Sequence, residues 1–128
     1  MARILIIEDS IYQRSKLVHM LQSEGHEVLQ AEDGRQGLQM AAAETPDLIF
    51  LDLLMPHIGG LDVLQALQET HAPYPVVVMT ADTQETTRAR CLELGARYFL
   101  NKPVRSEQLA ETLQKIFPKT DKAPEVTQ

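Results

Sequence analysis

A single cysteine, Cys91, stands in 128 residues, so no internal disulfide can staple the fold. One unpaired thiol fits a reducing compartment, and it reads as a small buried hydrophobe rather than a reactive group. Basic charge is scarce too. Twelve Lys and Arg face eighteen Asp and Glu, for a net charge of −6. That argues against a nucleic-acid surface, which clusters cations to displace phosphate counterions. No apolar run approaches the ~20 residues that span a bilayer. Met1-Ala2-Arg3 leads straight into Ile4–Ile7 without the layout of a signal peptide, so a cytoplasmic protein with no membrane partner is expected. There is no internal repeat, and no G-x-G-x-x-G follows the first apolar run, which sets aside a dinucleotide-binding domain. His19, His26, His57 and His71 have no metal-ligand spacing, and His57 reads as surface.

What is present is an alternation of two patterns. Ile4–Ile7, Leu48–Leu51 and Val76–Met79 are short continuous apolar runs, with weaker ones at Glu27–Ala31 and Arg97–Leu100. Runs apolar on both faces fit strands of a parallel sheet covered on two sides. Between them lie amphipathic stretches carrying Leu17, Val18 and Leu21; Leu38, Ala41 and Ala42; Leu61, Leu64 and Leu67; a more polar Ala89–Leu94; and Leu109, Leu113, Ile116 and Phe117. Ser10 with Gln13 reads as a capping box for the first helix, Asp82 with Glu85 as a possible start for the fourth, and Ser106 as the cap of the last. Gly25, Gly34 and Gly95 fall where a helix or turn should end. Five strand-then-helix units predict a doubly wound α/β domain with right-handed crossovers and an unfixed strand order. Residues 118–128 hold two prolines, four charges and one large apolar residue. A folded unit over 1–118 and a loose tail over 119–128 are therefore expected.

Ligands of an open parallel sheet bind outside the carboxyl ends of its strands. The residues following the apolar runs are Glu8 and Asp9, then Asp52, Thr80 and Lys102. Three carboxylates brought together repel one another, and Lys102 offsets only one charge. The excess suits a hard divalent ion with oxygen ligands, Mg²⁺ before others. A carboxylate beside such an ion can accept a phosphoryl group, with a lysine and a hydroxyl to hold its oxygens. Each residue alone would be an ordinary cap, turn or solvated charge; their placement after four different strands is what points to a site.

These segments resemble the response-regulator receiver domains of two-component systems, in the single-domain, chemotaxis-regulator-like form. The likeness runs from Arg3 to about Phe117 and is carried by IIEDS (Ile6–Ser10), LDLLMP (Leu51–Pro56) with Gly60 beyond, MTA (Met79–Ala81), GARYF (Gly95–Phe99) and NKP (Asn101–Pro103). It implies a flavodoxin-like sheet of order 2-1-3-4-5 with helices on both faces. Asp52 matches the phosphoacceptor, Asp9 the direct ligand of Mg²⁺ (or Mn²⁺), and Glu8 its partner through water. The Leu54 carbonyl matches a further ligand. Thr80 and Lys102 match the hydroxyl and ammonium that meet the phosphoryl group, Phe99 the aromatic switch, and Pro103 a structural cis proline after Lys102. Leu54 and Asp82 stand where the lifetime of the phosphorylated state is tuned. Phe99 has no hydroxyl, Gly37 interrupts a helix where alanine is usual, Gly59 replaces a frequent Asp or Asn, and Arg105 a capping Asp.

The resemblance thus implies a phosphoprotein that takes a phosphoryl group from a sensor histidine kinase or phosphotransfer protein. It would signal to a downstream protein through its fourth helix, fifth strand and fifth helix, as a monomer or a phosphorylation-dependent dimer. It would be a phosphoacceptor that promotes its own labelling and slow dephosphorylation rather than an enzyme. A phosphatase with an aspartyl nucleophile would need a second Asp two residues on, where Leu54 stands. A docking module that has lost phosphorylation disagrees with the intact acid set. The length favours a stand-alone protein over a fragment of a longer regulator.

Overall fold

The computed structural model describes residues 1–118; the tail expected over 119–128 lies outside them. The chain alternates strictly: β1 (Arg3–Ile7), α1 (Ile11–Ser23), β2 (Glu27–Ala31), α2 (Gly34–Glu44), β3 (Leu48–Asp52), α3 (Gly60–Glu69), β4 (Val76–Thr80), α4 (Glu85–Glu93), β5 (Tyr98–Asn101) and α5 (Ser106–Ile116). All strand pairs are parallel, in the order β2-β1-β3-β4-β5. The expected fold is the one observed.

Side chains alternate across each strand, so every aliphatic run feeds two cores. Leu5, Ile7, Ile49, Leu51, Val76 and Val78 pack on one face with Ala41, Val63, Leu64 and Cys91 of α2, α3 and α4. Ile4, Ile6, Leu48, Phe50, Val77 and Met79 pack on the other with Leu17 and Leu21 of α1 and Leu109 and Leu113 of α5. Every residue of β3 and β4 is buried, which explains why those runs read as continuously apolar. Each buried Leu or Ile of this double core contributes roughly 1.5–3 kcal/mol. Cys91 is fully buried and its thiol is pushed up by burial, in keeping with a packing role.

Several local expectations need correction. Gly34 ends the turn after β2 as expected but also opens α2, where only a glycine lets the chain approach the Ile58 carbonyl; a Cβ there would lie 2.8 Å from it. Gly37 is a requirement of packing, since an added Cβ would meet the Ile7 side chain at 2.4 Å. Ala42 faces solvent. The fourth helix begins at Glu85, with Gln84 at its N-cap, because the Asp82 carboxylate bonds the Gln84 N–H and shapes the approach instead. Ser106 is the first residue of α5, and Arg105 occupies the N-cap without a side-chain bond.

Candidate functional site

Strand register brings the chemistry to one edge. Ile7 pairs with Leu51, Asp52 with Met79, and Thr80 with Asn101, so the ends of β1, β3, β4 and β5 lie side by side. Asp52 and Thr80 close their strands, and Glu8 and Lys102 each follow one directly. Ligand oxygens of Glu8, Asp9 and Asp52 lie within 4.8 Å of one another. Glu8 and Asp52 are buried, and Asp9 is exposed. None of the four histidines joins such a cluster among the described residues.

Lys102 reaches into this cluster from the far end of the chain. Its Nζ lies 2.8 Å from Glu8 Oε1 and 2.9 Å from Asp52 Oδ1, and it donates to Gln13 Oε1 at 2.5 Å. Its backbone N–H donates to the Thr80 carbonyl at 2.9 Å, which fixes the base of the side chain beside β4. The Lys102–Pro103 peptide is cis, as the resemblance implies. Burial pushes the Glu8 carboxyl up; bonds from Lys102 and the Ser10 N–H pull it back, the Asp52 charge pushes it up again, and the balance is upward. Burial alone would lower the Lys102 ammonium, but the bonds and charges of Glu8 and Asp52 outweigh it and hold it charged.

One ammonium against three close carboxylates, two of them buried, leaves an anionic excess that no further salt bridge among the described residues neutralises. An all-oxygen donor set of this charge fits Mg²⁺ or Mn²⁺. Both Glu8 oxygens already have donors, Lys102 on Oε1 and the Ser10 N–H on Oε2 at 3.0 Å. Glu8, Asp9 and Asp52 are the residues that would hold the ion. Bound there, the ion supplies positive charge for the oxygens of an incoming phosphoryl group.

The Thr80 hydroxyl is not idle. Its Oγ1 accepts from the Asp82 N–H at 3.0 Å, Asp82 Oδ1 accepts from the Gln84 N–H at 2.9 Å, and Asp82 Oδ2 accepts from the Thr87 hydroxyl at 2.7 Å. Those two bonds hold the Asp82 carboxyl low. Through Asp82, two hydrogen bonds thus join Thr80 to Thr87 in the first turn of α4, and a third reaches its N-cap, Gln84. Phe99, opposite Val78 in β5, is half-buried, and the Arg88 guanidinium of α4 lies 5.2 Å from its ring centre. Thr87 and Arg88 escape a reading of the sequence, because a polar surface helix offers no pattern that singles them out.

Asp52 is the buried carboxylate of the cluster that keeps an oxygen open to react. Its Oδ2 is bonded to no donor among the described residues, while Oδ1 is paired with Lys102. Such an oxygen can attack phosphorus while the bond from phosphorus to the donor's leaving group breaks and the leaving group departs with the electron pair. Lys102 is placed to meet the charge on the transferring oxygens, and Thr80 borders the same edge.

Known proteins agree with this geometry. Residues 4–114 match the family described as the response regulator receiver domain. Protein PilH of Pseudomonas aeruginosa is 40% identical over 120 residues, covering 91% of this chain and 98% of PilH. The transcriptional regulatory protein CpxR of Escherichia coli K12 is 38% identical over 117 residues, and this chain spans 50% of its length. The structure of the Vibrio cholerae chemotaxis protein CheY4 superposes with a TM-score of 0.85 at 33% identity, covering 91% of this chain and 98% of that one. With its family match, its 2-1-3-4-5 sheet and its intact acid site, this chain belongs to the response regulator receiver domains and works as a phospho-accepting signalling switch.

Proposed function

We propose that Asp52 takes its phosphoryl group from a sensor histidine kinase or a phosphotransfer protein in the cytoplasm. The phosphorylated domain then controls a downstream protein through α4, β5 and α5. The observation that carries this reading is the buried Asp52 carboxylate held 2.9 Å from Lys102 beside two further carboxylates. Ile11, Tyr12 and Leu54 are exposed large apolar residues on the segments that carry the site, which suits the approach of a donor protein. On the output side, Cys91 is the one buried residue within α4, so the helix is weakly anchored and suited to movement.

Incubation with acetyl phosphate and Mg²⁺ tests the reading. Intact-mass analysis is expected to show one added phosphate, mapped to the peptide containing Asp52 and absent when EDTA removes the ion. Labelling indifferent to EDTA, or mapped to another peptide, would overturn it.

The same assay, followed after removal of the donor, reads the lifetime. We propose that Leu54, whose apolar side chain is exposed and cannot orient water, lengthens it, and that the Asp82 carboxylate shortens it; the Leu54 carbonyl would also contact the ion. Leu54→Asn is expected to speed loss of phosphate about three-fold and Asp82→Ala to slow it by a similar factor, each change being under 1 kcal/mol of barrier. Asp82→Ala also severs the tie to Thr87, so its melting curve should be recorded alongside. Equal decay in both variants and the parent would remove the proposal.

A further inference from the structure

Gln13 lies three residues after Ser10, where a capping box would return its amide oxygen to the Ser10 N–H. The forward half of that box forms, with Ser10 Oγ accepting from the Gln13 N–H at 3.2 Å. The return half does not. The Ser10 N–H donates instead to Glu8 Oε2 at 3.0 Å, which releases the Gln13 side chain. Its Oε1 accepts from Lys102 Nζ at 2.5 Å, while Glu8 Oε1 accepts from the same ammonium at 2.8 Å. Two acceptors, Glu8 just after β1 and Gln13 in the first turn of α1, thus hold an ammonium that has three protons to give, and Asp52 Oδ1 lies 2.9 Å from it on the remaining side.

We infer that Gln13 is a positioning residue for phosphoryl transfer, gripping Lys102 together with Glu8 so that the last ammonium proton faces the Asp52 carboxylate. The inference rests on Asp52 being the phosphoacceptor. Lysine ends a flexible four-carbon stem, and one acceptor leaves its head free to swing. A second acceptor on the same segment fixes the direction in advance, and ordering established before reaction lowers the barrier. As the oxygen–phosphorus bond forms and the bond to the leaving group breaks, the ammonium keeps all three protons. It keeps its bonds to Glu8 and Gln13 and exchanges Asp52 Oδ1 for a phosphoryl oxygen. The amide is suited to this place because it accepts a hydrogen bond without adding a fourth carboxylate, which would repel an anionic donor.

Gln13→Leu and Gln13→Glu separate these roles, and Gln13 is exposed in the first turn of α1, so both should fold. In protein labelled with ¹⁵N-lysine, the parent is expected to show a protected ammonium signal for Lys102, assigned by its absence in Lys102→Arg. Gln13→Leu should lose that signal and lower the maximal rate of labelling by acetyl phosphate about three- to ten-fold, with the half-saturating donor concentration little changed. Gln13→Glu should keep the signal and the maximal rate but need about three-fold more donor, through repulsion. A Gln13→Leu protein with the signal intact and the parent's rate would overturn the inference. Should the parent take up no phosphate at all, the phosphoacceptor reading fails, and the ammonium signal still decides whether Gln13 holds Lys102.

Discussion

Asp52→Asn is expected to take up no phosphate from acetyl phosphate under conditions that label the parent fully. An amide oxygen carries no charge and is a poor nucleophile toward phosphorus, so the covalent step has no substitute at that position. The neighbouring carboxylates cannot replace it. Glu8 has Lys102 on one oxygen and the Ser10 N–H on the other, and burial already pushes its carboxyl up. Asp9 is exposed and stands outside the ion pairs of Lys102 among the described residues. The variant also loses one of three clustered charges, so its affinity for Mg²⁺ should fall on the order of tenfold, measurable by calorimetry. Melting curves should show a folded protein, because asparagine has the volume of aspartate and relieves repulsion from Glu8 while giving up the pair with Lys102. Phosphate uptake by Asp52→Asn equal to that of the parent would exclude Asp52 as the acceptor.

Much of this fold was legible because its signals are local or periodic. Central strands of a parallel sheet must be apolar on both faces, so Leu48–Leu51 and Val76–Met79 announce themselves. The acid site was legible because chain topology delivers residues at strand ends to one edge, whatever lies between them. Features set by contacts distant in sequence were not legible. Gly37 reads as a weakness of α2 until the Ile7 side chain is seen against its Cα. Asp82 was missed for a different reason, since its partners are close in sequence: it reads as a helix cap, yet it bonds the Gln84 N–H and the Thr87 hydroxyl and ties Thr80 to α4. Gln13 shows how a correct local rule can hide a longer-range role. The serine–glutamine spacing is that of a capping box, and nothing nearby in sequence reveals that Glu8 takes over the returning bond.

These ties suggest how the site reaches the surface. Thr80 can approach a phosphoryl oxygen only by exchanging its present bond from the Asp82 N–H or adding to it, and Asp82 in turn bonds α4. Phe99 has no hydroxyl to anchor it, and its outer face is covered by Arg88 of that same helix. Movement of α4 would therefore uncover or bury the ring, with a cation–π contact of ~0.5–1 kcal/mol as the local stake at an exposed position. A two-state equilibrium needs ~5.5 kcal/mol to pass from 1:99 to 99:1, so this contact can only bias the switch alongside other changes.

Gly60→Ala is expected to be the most damaging single-atom addition near the site. Gly60 opens α3 with its N–H donating to the Leu53 carbonyl at 3.0 Å, which presses the start of the helix onto the end of β3. A Cβ at Gly60 would fall 2.6 Å from the Asp52 carbonyl oxygen and 2.7 Å from Leu53 Cα. Both are backbone atoms, and neither can yield as the tip of a flexible side chain would. The start of α3 must move away, loosening Val63 and Leu64 in the core, or the segment carrying Asp52 must shift. Overpacking of this kind costs ~2–3 kcal/mol, which for a domain of this size lowers Tm by roughly 10 °C. Because the strain falls on the Asp52 peptide itself, labelling by acetyl phosphate should also slow at temperatures where the variant remains folded. Gly59→Ala is the control one residue away. Its nearest neighbour would be the Leu53 carbonyl at 3.7 Å, an ordinary contact, and its φ of −82° suits any residue. Thermal melts of the two variants should differ by most of that 10 °C. Equal melting temperatures would mean that α3 and β3 are not in the close contact on which the position of Asp52 depends.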